Sequence, residues 1–348
     1  MLAPAYVDDL CTTGLRAGLT RVGVASAEPF DDVRAVLEER KAAGLHGGMQ
    51  FTYRNPVRST DPSRAMPGAR SIVVGALAYP ARLQPRPRPS RRPVGRVARY
   101  ATDDHYARLR VGLGAIADRL RADGWQARVL ADDNALVDRA VAHRAGLGWY
   151  GKSANVLLPG VGSLVVLGGV LTDAALPGPG EPMADGCGSC RRCLDHCPTG
   201  AIVAPGVVDA RRCLAWLVQA EGDIPEDLRG ALGDRIYGCD DCQEVCPPNR
   251  RALLAGEGVP DGEAVDLLEL LSLDDDELMR RHGRWYVPRR DPRYVRRNAL
   301  VALGNTGDPA EPAVVEAISS YAHGDDPMLR RHATWAARRL GLEVEARA

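Results

Sequence analysis

A chain of 348 residues, 45% of them hydrophobic, has room for two or three domains and for an ordinary buried core. Its 45 Lys and Arg balance 45 Asp and Glu, so no net field marks it as a nucleic-acid binder. No apolar run is long enough to span a bilayer, and the first residues lack the order of a secretory signal, which leaves the cytoplasm as the expected compartment.

Residues 7–19 carry apolar side chains at helical spacing (Val7, Leu10, Cys11, Leu15, Leu19), which makes Cys11 a core thiol. Thr20–Ser26 alternates as a strand does, and residues 31–43 are helical up to Gly44. His46–Asn55 is a loop of glycines and polar groups, followed by Arg58 and Asp61-Pro62; Ser71–Tyr79 is a continuous apolar run suited to a buried strand. Residues 82–99 hold seven arginines, no acidic residue and prolines at 85, 87, 89 and 93. That composition predicts a loop, either a solvated linker or a phosphate-binding segment, and not a central strand. Arg99-Tyr100 leads into a helix through Arg110–Arg121, stopped at Gly124.

Ala127–Ala131 reads as a short strand. Asp132, Asp133 and Asn134 after it are capping residues that predict a helix over Ala135–Ala145, closed by Gly146. Gly148–Asn155 is a loop and Ser163–Thr172 a second buried strand. Strands and helices alternating over 20–172 predict an α/β or α+β domain on one sheet. Pro177–Pro182 reads as a hinge to the next unit.

Eight of the nine cysteines lie between 187 and 246. Cys187, Cys190, Cys193 and Cys197-Pro198 form the C-x2-C-x2-C-x3-C-P run of bacterial ferredoxins, where three thiolates hold one cubane and the fourth crosses to its neighbour. Cys239, Cys242 and Cys246-Pro247 supply three more ligands, and Cys213 completes the eight. The same crossover assigns Cys187, Cys190, Cys193 and Cys246 to one 4Fe–4S cluster and Cys197, Cys213, Cys239 and Cys242 to the other. Zinc ribbons use two separated pairs, and disulfides suit small secreted chains, so both fit the spacing less well.

Residues 263–281 read as helical. The stretch 280–297 then has eight arginines, one aspartate and three aromatics, a basic surface for phosphates. Arg296-Arg297-Asn298-Ala299 recurs 34 residues later as Arg330-Arg331-His332-Ala333, each copy opening an alanine-rich helix, which predicts a helical hairpin of HEAT-like type. Neither a G-x-G-x-x-G after a strand nor a P-loop occurs, so the clusters must pass electrons to something other than a Rossmann cofactor.

Several of these segments together resemble the epoxyqueuosine reductase family. They are His46–Asn55 with Asp61-Pro62, Pro67–Ser71, Gly95–Ala101, Ala145–Lys152, and Arg235–Gln243 through Cys246-Pro247. The resemblance implies an α+β multidomain chain. Its parts would be an α/β cobalamin-binding domain over 1–176, a ferredoxin-like domain with two 4Fe–4S clusters over 177–250, and a HEAT-like tRNA-binding tail over 251–348. It also implies reduction of epoxyqueuosine to queuosine at the tRNA wobble position, with electrons passing from the clusters to base-off cobalamin. The family's proton-donating aspartate maps onto Asp132, with Asp133 as fallback; a plain helix N-cap is the alternative, and a helix N-terminus would lower its pKa unless burial raised it. Arg58, Arg99, Lys152, Ser153 and Ser163 are expected to contact corrin amides, phosphate or substrate, against the alternative of solvated or ion-paired groups. The implied partners are a tRNA anticodon loop and a low-potential electron donor, with no membrane, for a monomer.

The chain departs from the family in two places. His105 stands where the family has an acid, which predicts a surface residue, and Ala215–Ala220 replaces a more polar segment, predicting a lost corrin or substrate contact. Two other functions stay open: a cobalamin and iron–sulfur reductase of a small molecule, as in reductive dehalogenases, and a ferredoxin-type electron carrier.

Overall fold

The computed structural model describes residues 2–81, 89–178, 181–255 and 264–343. Residues 82–88 of the arginine–proline stretch and the middle of the Pro177–Pro182 hinge lie outside these. In chain order the elements that position the site are α1 (Pro4–Arg16), β1 (Arg21–Ser26), α2 (Asp31–Ala42), β2 (Ser71–Ala78), β3 (Val94–Val97), α3 (His105–Ala122) and β4 (Ala127–Ala131). There follow α4 (Asp138–Arg144), β5 (Val165–Thr172), β6 (Arg235–Tyr237), β7 (Ala264–Asp266), α5 (Leu267–Ser272), α6 (Arg293–Thr306), α7 (Pro312–Ala322) and α8 (Pro327–Leu340). Among the described residues no helix is long and apolar enough to cross a membrane.

The main sheet has the order β1–β2–β5–β4, and every neighbouring pair is antiparallel. The first domain is therefore α+β, not a parallel α/β unit. Both faces are nonetheless covered, because successive side chains of a strand point to opposite sides. Val73 and Leu77 of β2 pack with Leu10 of α1 and with Leu109, Leu113 and Ile116 of α3. Ile72, Val74 and Ala76 pack with Leu37 of α2 and with Ala140 and Val141 of α4. A strand buried on both faces needs apolar residues throughout, which is why Ser71–Tyr79 reads as an unbroken run.

A second sheet has the order β6–β3–β7. Its central strand comes from the first region of the chain, one edge from the cysteine-rich segment and the other from the tail. This corrects the expectation that 82–99 holds no central strand. The prolines end at Pro93, and Gly95 lets β3 lie close against Ile236 and Leu267, where a Cβ would come within 2.6 Å of Ile236. The charge of Arg96 is met by Asp234 at 2.8 Å. The expected helix over 263–281 is in fact β7, then α5, then a separate helix over Asp275–His282. Caps set both breaks: Asp266 accepts from Leu268 and Glu269, and Asp274 accepts from Glu277.

The tail shares one apolar core with the cysteine-rich segment. Leu214, Leu217, Val218 and Ile236 are buried against Ala299, Leu300 and Leu303 of α6 and Ala333 and Ala336 of α8. The two copies of the 34-residue echo lie on α6 and α8, which pack together with α7.

Candidate active site

Asp132 lies just past the end of β4 with φ 55°, in the left-handed region that Asp and Asn enter most readily among non-glycine residues. The kink turns the chain out of the sheet, and the next helix starts only at Asp138. Asp132 is therefore no helix cap, contrary to the alternative that the sequence allowed; Asp133 instead closes a local turn by accepting from Ala135 N–H at 2.9 Å. The Asp132 side chain reaches solvent on one side and is crowded by protein on the other. Burial raises its carboxyl above the ordinary value; the Arg110 guanidinium pulls it down, and Asp104 and Asp133 push it up. Tyr106, Asp138 and Tyr237 all feel the charge of Asp132, so they lie around it. Asp138, closely surrounded, is raised well above its ordinary value, first by burial and then by Asp132.

Three loops gather at this end of the sheet. Ser59 Oγ donates to Asn134 O at 2.7 Å, tying the loop after Asn55 to that of Asp132. Arg139 donates to Ala154 O at 3.3 Å, tying α4 to the Gly148–Asn155 loop. Trp149 Nε1 and His46 Nδ1 are buried in these loops without a hydrogen-bond partner among the described residues. Such orphaned groups ask for a polar occupant, and the amide-rimmed corrin that the family resemblance implies could supply one. The residues present therefore fit that group.

Of the five further residues expected at the site, three serve as internal struts. Arg99 is 1% exposed and donates to Asp240 at 3.0 Å and Glu244 at 2.8 Å, between and beside the second group of cysteines. Ser163 is buried, donating to Gln243 at 3.0 Å and accepting from Asn249 at 3.0 Å. Lys152 donates to Gly188 O at 2.6 Å, inside the first cysteine run. These three join the first domain to the cysteine segment, so the expectation that Arg99 and Ser163 touch a ligand is corrected: their polar atoms are already engaged and out of reach. Arg58 is exposed, and Ser153 is half-buried with only a long contact to Asn155; both stay available. His105, expected at the surface, is 3% exposed and stacks on Tyr79 with centroids 5.2 Å apart. In the altered segment after Cys213, where a lost corrin or substrate contact was expected, Trp216 donates to Gly47 O at 2.8 Å.

None of the nine cysteines is joined in a disulfide. Cys246, whose thiol burial pushes up to about 12, is further raised by Cys193, Cys187 and Cys190. Cys242 is raised by burial and then by Cys239 and Cys213, and Cys213 in turn feels Cys197. Half-buried thiols in two neighbouring sets are the donor chemistry that cubane clusters take.

The basic stretch is less open than its composition suggests. Trp285 and Tyr294 are core residues, 5% exposed each. Arg297 is fully buried, Arg296 pairs with Asp275 at 2.5 Å, and Arg281 bridges Glu277 and Glu269. Arg284 donates to Ala101 O and Thr102 O, and Tyr286 N–H donates to Tyr237 OH at 2.8 Å, which brings this stretch beside one of the groups around Asp132. The Tyr286 ring is 58% exposed there. Sequence reasoning missed the roles of Arg110, Asp240, Gln243 and Asn298. Asp240 and Gln243 lie in the Arg235–Gln243 segment that carried the resemblance, and Asn298 in the repeated Arg-Arg-x-Ala, which read as a repeat and not as an anchor.

Comparison with known proteins follows the same outline. The family described as "4Fe-4S double cluster binding domain" matches residues 186–249, and "Epoxyqueuosine reductase QueG, DUF1730" matches residues 59–133. The epoxyqueuosine reductase of Bacillus cereus is 34% identical over 333 residues, 93% of this chain and 86% of that protein. The Xanthomonas campestris enzyme of that name is 35% identical over 343 residues, 95% of each chain. A crystal structure of epoxyqueuosine reductase with an epoxyqueuosine-modified tRNA-Tyr stem loop superposes with a TM-score of 0.88 at 32% identity, covering 97% of this chain and 90% of that one. The Bacillus subtilis structure, described with its aspartate catalytic loop swung out of the active site, gives 0.85 at 31% identity over 97% and 90%. With relatives above 30% identity along nearly its whole length, and with a double 4Fe–4S cluster binding domain over 186–249, this chain belongs to the epoxyqueuosine reductase family.

Proposed function

We propose that the protein reduces epoxyqueuosine to queuosine at the wobble position of tRNA, with Asp132 as the proton donor. The observation that carries this reading is the likeness to epoxyqueuosine reductases over 93–95% of the chain, together with a raised carboxyl at Asp132 that the basic stretch approaches through Tyr237. Removing an epoxide oxygen takes two electrons and two protons; both carbon–oxygen bonds break, a carbon–carbon double bond forms and the oxygen leaves as water. The clusters, held by Cys187, Cys190, Cys193 and Cys246 and by Cys197, Cys213, Cys239 and Cys242, supply single electrons. Cobalamin, when bound among the His46, Asp132 and Trp149 loops with Arg58 and Ser153 at its edge, would supply a cobalt centre of low potential.

The chain's own part is to hold and deliver a proton. A carboxyl raised by burial keeps its proton to higher pH than a solvated one and so can give it to a departing oxygen. Arg110 counters that rise, and Tyr106 and Tyr237 stand close enough to feel the charge of Asp132. Exposed Arg58, Arg280, Arg284 and Arg290 would contact tRNA phosphates, a salt-dependent attraction, while Tyr286 is the aromatic free to stack on an unpaired anticodon base. The Arg-Arg-x-Ala echo supports a HEAT-like reading of α6–α8, and the regions 1–176, 177–250 and 251–348 then divide the work into chemistry, electron supply and RNA support.

An anaerobic single-turnover assay tests the proposal. Reconstituted protein, cobalamin, a chemical reductant and epoxyqueuosine-containing tRNA are combined, and the nucleoside is read by mass spectrometry. Loss of one oxygen mass is expected, reduced at least 100-fold in Asp132→Asn, a step within the range for a general acid. Unchanged tRNA from fully loaded protein would overturn the substrate. Equal turnover by Asp132→Asn would overturn the donor.

A further inference from the structure

The repeated tail sequence places buried polar side chains where the cysteine segment has backbone groups to satisfy. Asn298 on α6 is fully buried, and its one amide nitrogen donates to Val218 O at 2.7 Å and to Ile236 O at 3.0 Å. Val218 ends the short helix that Cys213 opens, and Ile236 lies on β6, three residues before Cys239. A single carboxamide thus bridges the two segments that carry these cysteines. Its oxygen accepts from Arg297, whose buried guanidinium also donates to Leu217 O at 2.9 Å and Ala220 O at 2.8 Å. The second copy of the motif repeats the pattern one loop further on: His332 Nε2 accepts from Ile224 N–H at 3.2 Å, and Arg331 holds Asp223 at 2.7 Å.

Carbonyls at a buried helix end cost free energy unless something donates to them, and here the donors come from the tail. Cys187, Cys190 and Cys193 are placed differently. Their loop is held by local bonds, such as Cys190 N–H to Cys187 O, and by Lys152 of the first domain.

We infer that Asn298 and Arg297 are positioning residues for the second cluster, so that the C-terminal helices are needed to assemble one cluster and not the other. This rests on the reading that Cys213 and Cys239 serve the same cluster. Asn298→Asp keeps the shape and removes both donors. In the full chain, reconstituted anaerobically, it is expected to keep its circular dichroism and to fall from roughly eight to roughly four iron atoms per chain, one cubane in place of two. The electron paramagnetic resonance of its reduced form should match that of Cys213→Ser and differ from that of Cys187→Ser. Full iron with an unchanged spectrum overturns the inference, and so does loss of both clusters together, because selectivity is the claim. Should Cys213→Ser and Cys239→Ser leave different clusters behind, the shared-cluster reading itself falls, a result distinct from failure of the tail's role. If Asn298→Asp does not fold, Arg331→Ala at the exposed end of the latch decides. A chelator should then strip the second cluster several-fold faster than in the parent while the first leaves at the parent's rate; equal rates for both would end the proposal.

Discussion

Asp132 sits where burial and charge act on one carboxyl in opposite directions. Burial is the larger effect and raises it; Arg110, which also anchors to Ala131 O at 3.0 Å, is the next and lowers it. A donor works in its protonated form, so the rate should decline as pH rises through this pKa. Arg110→Met removes the lowering influence, and the declining limb should move to higher pH. Single-turnover rates across pH would show it, and a limb that stays put or moves down would dismiss Arg110 as a tuner. Asp132 was singled out by resemblance of the residues around it. Its environment was not, because a left-handed kink after β4 replaced the expected helix cap and so removed the helix field that would have lowered the carboxyl.

Among the elements, α8 shows how a helix face that looks generic can carry a titrating joint. His332 accepts from Ile224 N–H through Nε2 and donates to Met328 O through Nδ1, which requires the neutral ring. Burial lowers its pKa to about 4. The unfolded chain takes up this proton near 6.5 and the folded chain only near 4, so stability contributed by the neutral ring is present above 6.5 and lost as pH falls towards 4. The loss should reach about 3 kcal/mol for this one group. Urea unfolding midpoints between pH 7 and 4 should therefore fall less steeply in His332→Gln than in the parent, and parallel slopes would reject the assignment. The strands and helices of the main sheet were readable because their apolar periods are long and clean. By contrast, β3 was hidden by the prolines and arginines around it, and the break between α5 and the helix at Asp275 by an apolar pattern continuous through both caps.

At the scale of the whole molecule the three regions are welded by buried polar contacts, and Arg99 with Asp240 is the most enclosed ion pair among the described residues. Such a network adds little net stability over an apolar equivalent, but cutting one side strands the other. Arg99→Met leaves Asp240 buried and unpaired, and should cost about 3–5 kcal/mol in urea unfolding, with part regained in Arg99→Met combined with Asp240→Asn. A loss under about 1 kcal/mol would show that Arg99 faces a ligand or solvent after all. Sequence by itself determined the eight thiols, the apolar strands and the family, because ligand spacing and strand alternation are local properties that neighbours in the chain already express. Only the tertiary structure decided what the polar residues between these landmarks do. Arg99, Lys152, Ser163 and Asn298 find their partners 36 to 145 residues away, and whether an arginine meets a phosphate or a buried carboxylate depends on which surfaces the fold brings to it.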